Sequence, residues 1–307
     1  MSTFTWMSAP TISSDAAFRK WVQGIHDAFA ACGWVQTADT GQAVISSLTV
    51  PTSTSASAGY EIWRLDDELQ AEAPLFVKIE FGRGVGSPGD YPDAWVTVGQ
   101  SSNGSGVIGN VLAAREQFAW QGSATGSATE ITGYASGDGH SICLVPWPGF
   151  VASRASWCLV IERSRSSDGT PTTDGFLIVS GWTVTVVGNG GATSSRSSSG
   201  DVLPVVLPYR INGAAASTSS TLSSDGVHAP VLPIPCLAPG VGPWVSNVIV
   251  AVHPGDAGAL SVIQAATING RTRTYRAWPG FGSPAAPIAT NAPAQSSRIW
   301  PAILWED

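Results

Sequence analysis

The chain has 307 residues, of which only 12% are charged, about half the roughly 25% of an average domain. Its net charge is −7, and its only lysines are Lys20 and Lys78. No basic run exists to neutralise a phosphate backbone, so nucleic-acid binding is not expected. No apolar run approaches the ~18 residues of a membrane span, and the first ten residues lack the cationic, apolar pattern of a secretory leader. With 34 Gly and 21 Pro, the composition predicts many short strands and frequent turns. Four scattered cysteines, without any C-x-x-C pair, read as reduced, buried small hydrophobes.

The first predicted element is an amphipathic helix from about Asp15, with Ser13, Ser14 or Asp15 as N-cap. Phe18, Trp21, Val22, Ile25 and Phe29 form its apolar face, and Gly33 stops it. His26 lies one residue beyond that face, as a boundary histidine. A turn at 38–42 leads to a predicted strand over 44–50 and a Ser/Thr/Ala loop over 51–59. Residues 60–81 carry the clearest pattern: Tyr60, Ile62 and Leu65 precede the acidic cluster Asp66, Asp67 and Glu68. After it Leu75, Val77, Ile79 and Phe81 alternate with Phe76, Lys78 and Glu80. This predicts two antiparallel strands joined by a solvated acidic loop that Pro74 closes, with Lys78 and Glu80 on the wet face.

A Gly/Pro-rich excursion over 83–92 precedes a strand at 95–98, and a weak helical pattern covers 111–120. Beyond residue 131 the predicted strands are 142–147, 157–163 and 176–187, the last two forming a long hairpin with a polar tip at Asp168 and Gly169. Residues 188–200 predict a flexible Gly/Ser loop and a soft domain boundary. The proline-punctuated last third reads as edge strands or extended arms, with strands at 245–252 and 259–268, the latter turning at Asn269 and Gly270 into 272–278. The closing Ile299, Trp300, Ile303, Leu304 and Trp305 are too apolar to dangle in water. The predicted fold class is α+β, mainly β: antiparallel sheets with one N-terminal amphipathic helix and a distal β-sandwich-like region. It divides into 1–130 and 131–307.

Motifs for chemistry are weak. Gly104-Ser105-Gly106-Val107-Ile108-Gly109 satisfies G-x-G-x-x-G, but five residues separate it from the preceding strand, so a surface turn is the expectation and no cofactor is assigned. The pattern also matches Gly84, Gly86 and Gly89. His140 beside Asp138, and His228 near Asp225, are the close His/Asp pairs, both in turn-like sequence. No catalytic residue and no metal ligand is assigned. Trp147-Pro148-Gly149-Phe150 recurs as Trp278-Pro279-Gly280-Phe281, which either an internal duplication or a reused turn would produce. Trp147, Trp278, Trp300 and Trp305 are the candidate interface or glycan-contact residues, because tryptophan anchors interfaces and stacks on sugars.

Several segments together carry a resemblance: Ala38-Asp39-Thr40-Gly41-Gln42, Tyr60 through Asp67, Pro74 through Gly82, Val98-Gly99 with Asn103-Gly104-Ser105-Gly106, and the closing Leu304-Trp305-Glu306. They resemble a pattern of virion structural proteins of tailed bacteriophages, over about the first third and the last few residues. The resemblance implies a non-enzymatic virion component of the tail or its fibres, assembled in the host cytoplasm. Its 1–130 part would dock on the particle, and its partners would be other virion proteins and further copies of itself. A glycan-binding adhesin for host surface polysaccharide and a head decoration protein are the alternatives.

Overall fold

The computed structural model describes residues 2–8, 14–54, 56–85, 90–117, 131–147, 157–166, 168–180, 193–197, 202–203, 231–238, 242–252, 263–268, 270–277 and 300–306. Strand β1 (Ser2–Ser8) precedes the helix α1 (Asp15–Ala31). Ser14 is the N-cap, its Oγ accepting from Ala17 N at 3.2 Å. The helix stops at Cys32, and Gly33 follows with φ +83°, a conformation that glycine adopts without a Cβ clash.

The first sheet is an antiparallel meander in the order β2 (Val35–Gln36), β3 (Ser57–Arg64), β4 (Phe76–Val85), β5 (Asp90–Ser102), β6 (Ile108–Gln117). Here the expected alternation holds. Val77, Ile79 and Phe81 are buried on one face. On the other, the Lys78 ammonium lies 4.4 Å from the Tyr60 ring centre, and Glu80 accepts from Arg115 Nε at 3.1 Å.

Three expectations fail in this region. The Gly/Pro-rich excursion over 83–92 is largely strand, because residues 83–85 and 90–92 extend β4 and β5 and pair with each other, while 86–89 lie outside the described residues. Residues 44–50 form no strand: Ile45–Ser47 is a single 3-10 turn. The helix satisfies the flanking backbone instead, Arg19 Nη1 donating to Leu48 O and Asp15 Oδ1 accepting from Val50 N, so no ladder partner is required. Of the weak helical pattern at 111–120, residues 118–120 lie outside the described residues and 111–117 belong to strand β6. Its register against β5 shifts between Val96 and Val98 and again between Val98 and Gly99. Two bulges hide the period of two that would have marked it as a strand.

The second sheet has seven antiparallel strands in the order β1, β7 (Ile131–Gly137), β8 (Ser141–Trp147), β9 (Trp157–Arg165), β10 (Pro171–Ser180), β11 (Thr193–Ser197), β12 (Val202–Leu203). The β9–β10 hairpin forms where expected, but β10 begins already at Pro171, and residues 181–187 of the predicted strand lie outside the described residues. Part of the predicted flexible loop is ordered instead. Thr193–Ser197 pairs with β10 from Val179 to Gly175, while 188–192 and 198–200 lie outside the described residues. The hairpin supplied an edge to which even a Ser-rich strand can add through its backbone.

The third sheet runs β13 (Val231–Ala238), β14 (Gly242–Val252), β17 (Trp300–Glu306), β16 (Arg271–Ala277), β15 (Ile263–Ile268). Pro233 and Pro235 sit in β13, at the sheet edge where missing N–H donors cost least. Gly270, with φ +74°, makes the β15–β16 turn. The apolar tail becomes an interior strand, between β14 and β16.

One apolar core spans position 130. Phe18, Trp21, Val22, Ile25, Ala28 and Phe29 of α1 belong to it together with Val77, Ile79, Phe81, Val96 and Val98 of the first sheet. Ala135, Ile142, Leu144, Leu159, Ile161, Phe176 and Ile178 of the second sheet complete it. Trp21 meets Phe81 edge-on at 6.4 Å between ring centres, and Phe29 stacks on Trp63 at 5.3 Å. Trp6 on β1 is wedged against Gly24 of α1 and Gly133 of β7, where a Cβ would lie 2.1 Å from the indole in each case. Each large apolar side chain buried here contributes about 1.5–3 kcal/mol. No helix among the described residues is long and apolar enough to cross a membrane.

Candidate functional site

Strand β9 reads Leu159-Val160-Ile161-Glu162-Arg163-Ser164-Arg165, and all seven residues are buried. Charges inside an apolar strand need partners, and β9 finds them in three directions.

Arg163 reaches the loop between β3 and β4. Its Nε and Nη2 donate to the Asp67 carboxylate at 2.7 and 3.0 Å, and Nη1 donates to Ala73 O at 3.0 Å. The guanidinium carbon lies 5.1 Å from the Phe176 ring centre. His140 Nδ1 joins the same carboxylate at 3.0 Å. Burial opposes ionisation of Asp67, but the hydrogen bonds from His140 and Arg163 and the Arg163 charge hold its carboxyl below the usual range. The predicted solvated acidic loop is therefore corrected at one position: Asp66 and Glu68 are exposed, while the Asp67 side chain is 2% exposed.

Arg165 reaches the β7–β8 turn and its own strand. Nη2 donates to Asp138 at 2.9 Å, Nε to Glu162 at 3.0 Å, and Nη1 to Gly169 O at 3.2 Å. Asp138 also accepts from Ser141 Oγ at 2.6 Å and from the His140 backbone N–H at 3.2 Å. Burial opposes its ionisation too, but Arg165 and Ser141 keep its carboxyl low.

Glu162 faces the third sheet. It accepts from Ser246 Oγ at 2.6 Å and Asn247 N at 2.9 Å, both on β14, and Asn247 Oδ1 accepts from Arg273 Nη1 of β16 at 3.3 Å. Burial pushes the Glu162 carboxyl up, against the Arg165 charge and the two β14 donors. The charges of β9 thus form a continuous fastening from the first sheet, across the second, to the third.

A smaller polar joint lies on α1. His26 Nδ1 meets Glu61 Oε1 of β3 at 2.8 Å, and Trp63 Nε1 donates to Glu61 Oε2 at 3.2 Å. Glu61 is 1% exposed, and the bond to it raises the His26 pKa above 6.5. The expected boundary histidine is half-buried and fastens the helix to the sheet.

These joints consume their charges in mutual pairing. Asp138 and His140 make a turn, and the ring of His140 pairs with Asp67 rather than with Asp138. Among the described residues, no cluster of three or more His, Cys, Asp or Glu is placed to hold a metal ion. The Gly104–Gly109 stretch is the β5–β6 turn and the start of β6, not the strand-to-helix crossing a dinucleotide requires. Cys32 and Cys143 are buried thiols outside any disulfide, and burial pushes the Cys32 thiol up to about 12.

Of the four tryptophans singled out from sequence, three lie among the described residues. Trp147 ends β8, in register with Trp157 of β9. Trp300 lies opposite Val252, and Trp305 falls at the register shift between Leu304 and Glu306 in β17. Trp278 lies outside the described residues. Sequence reasoning missed Asp67, Glu162, Arg163 and Arg165. The available signal was the run of two charges and a further arginine following Leu159-Val160-Ile161 within one strand. No protein-family model matches the chain, and no curated protein is significantly similar to it.

Proposed function

We propose that this chain is a structural, non-enzymatic component of a bacteriophage particle, a tail or tail-fibre protein that packs beside other virion proteins and further copies of itself. The observation that supports this reading is the gathering of the segments that carry the resemblance. Thr40 N donates to Gly104 O at 2.9 Å, Tyr60 OH to Thr40 O at 2.8 Å, and Gly106 N to Asp39 Oδ2 at 3.4 Å. Residues 38–42, β3 and 103–106 therefore close on one another as one unit, as a shared structural motif would. Low surface charge suits the same role, because a subunit buried among neighbours loses less by desolvation.

Immunogold electron microscopy of purified particles, with antibody raised against the β9–β10 tip, where Asp168 and Thr170 are exposed, tests the reading. Gold at the tail is expected. Gold spread over the head makes the chain a decoration protein, and particles that lack the protein altogether defeat the proposal. Tail labelling combined with lost host adsorption in Trp147→Ala would shift the role to that of a glycan-binding adhesin.

A further inference from the structure

The β5–β6 turn contains Asn103-Gly104, and hydrogen bonds hold both residues. Asn103 Oδ1 accepts from two backbone donors, Ser105 N at 2.9 Å and Val107 N at 3.1 Å. Two such donors on one amide carbonyl polarise it and match the requirement of an oxyanion that forms there. The next backbone nitrogen, Gly104 N, donates to Ser102 Oγ at 3.3 Å, and Ser102 Oγ in turn donates to the Asp39 carboxylate.

Asp39 also accepts from Thr37 Oγ1 at 2.6 Å. Burial opposes its ionisation, but the bonds from Ser102, Thr37 and the Gly106 and Gly104 backbone keep the carboxyl below its usual range, so it is charged at neutral pH. Gly104 has φ +78°, and apart from its two chain neighbours no residue lies within 4 Å of the position a Cβ would take. Thr40 N and Oγ1 hold the Gly104 carbonyl at 2.9 and 3.2 Å, fixing that residue's orientation. Asn103, Gly104 and Ser105 are exposed to water.

We propose that Asn103 is a site of self-catalysed deamidation, driven by the turn that holds it. Gly104 N attacks Asn103 Cγ, and its proton passes to Ser102 Oγ as Ser102 gives its own to Asp39. The developing charge on Oδ1 is held by the Ser105 and Val107 N–H groups. The Cγ–Nδ2 bond then breaks, the relayed proton leaves on Nδ2 as ammonia, and a five-membered succinimide joins residues 103 and 104. One water opens that ring to aspartate or isoaspartate. No oxidant or cofactor takes part. The product places a second carboxylate beside Asp39, and the isoaspartate form also lengthens the backbone, so the clasp between 37–42 and 102–107 is released irreversibly.

Asn189, Asn212 and Asn269 are also followed by glycine and serve as references within the same molecule. The full chain is incubated at neutral pH, folded or in denaturant, and peptide mass spectrometry with isoaspartate detection follows all four sites. The expected result is faster conversion of Asn103 in the folded protein than in the denatured one. Ser102→Ala should slow the folded rate by about a hundred-fold, the lower end of what a positioned general base contributes, while Ser102→Thr retains it. A folded rate equal to or below the denatured rate overturns the proposal, as does a Ser102→Ala protein that folds and deamidates at the original rate. The wild-type comparison decides alone if the alanine variant does not fold.

Discussion

The helix α1 and the strand β9 both join separate sheets, and they do so with opposite chemistry. The helix presents Phe18, Trp21, Ile25 and Phe29 to two sheets and gains its stability from apolar area removed from water. The strand joins three sheets largely through Glu162, Arg163 and Arg165, whose attraction to their partners must first offset the cost of leaving water. The difference is one of tolerance. An apolar joint accepts neighbours of roughly the right shape, whereas a charged joint accepts one register and punishes the loss of either partner.

The two largest predicted effects separate these joints. Trp21→Ala should cost about 3–5 kcal/mol, through lost transfer free energy and the cavity left behind. That loss should be nearly independent of salt and pH in denaturant unfolding. Arg163→Met should cost a similar ~3–5 kcal/mol, because Asp67 is then buried without its guanidinium. The double variant Asp67→Asn/Arg163→Met should recover much of this loss, since no charge is stranded. If the double variant is no more stable than Arg163→Met, the cost lies in packing against Phe176 and the contrast with α1 disappears.

The same pair predicts acid sensitivity. Asp67 has a folded pKa below its ordinary 3.8, so its contribution is full above that value and is lost as pH falls through the lower folded pKa. The wild-type unfolding midpoint should therefore fall more steeply in that acid range than that of the double variant.

Local periodicity made the apolar joint legible in the sequence and left the charged one hidden. The spacing of Phe18, Trp21, Val22, Ile25 and Phe29 and the alternation from Leu75 to Phe81 are properties of neighbouring residues, and both elements stand where they were expected. Asp67 and Arg163 are 96 positions apart, and nothing within a few residues of either says that they meet. Asp66 and Glu68 behave as the solvated acids they resemble, which is why Asp67 was grouped with them. Strand β6 was hidden for a different reason. Its two bulges shift Leu112 and Ala113 together into the interior while Val111 stays exposed, and that sequence has neither period. The tryptophans singled out as candidate interface or glycan contacts rest on residue type alone; Trp147 stands in the second sheet, Trp300 and Trp305 in the third.

The contrast sharpens at the third sheet. Glu162→Gln keeps the shape of the side chain but loses the charge that Arg165 neutralises, and it presents an NH2 group to Ser246 or Asn247. A cost of about 1–3 kcal/mol is expected, concentrated as faster hydrogen exchange in β14 and β17 and nearly absent in α1. Equal loss of protection in α1 would mean that the three sheets unfold as one body and that Glu162 is no separate latch.

The smallest effect belongs to the contact between His26 of α1 and Glu61 of β3. The pKa of His26 is raised above 6.5 by its bond to buried Glu61, with Asp27 on the same helix adding to the rise and burial opposing it. Protonation therefore favours the folded state. The charge-assisted part of the bond is fully present below pH 6.5 and is lost as pH rises through the higher folded pKa. A neutral His26 with its proton on Nδ1 still donates to Glu61, so the bond weakens without vanishing, and Glu61 retains Trp63 Nε1 as a donor. His26→Gln should accordingly lower stability by about 1 kcal/mol on the acid side of that window and by less on the alkaline side. A difference that grows with pH would reverse the sign of the linkage and show that burial, not Glu61, governs this histidine.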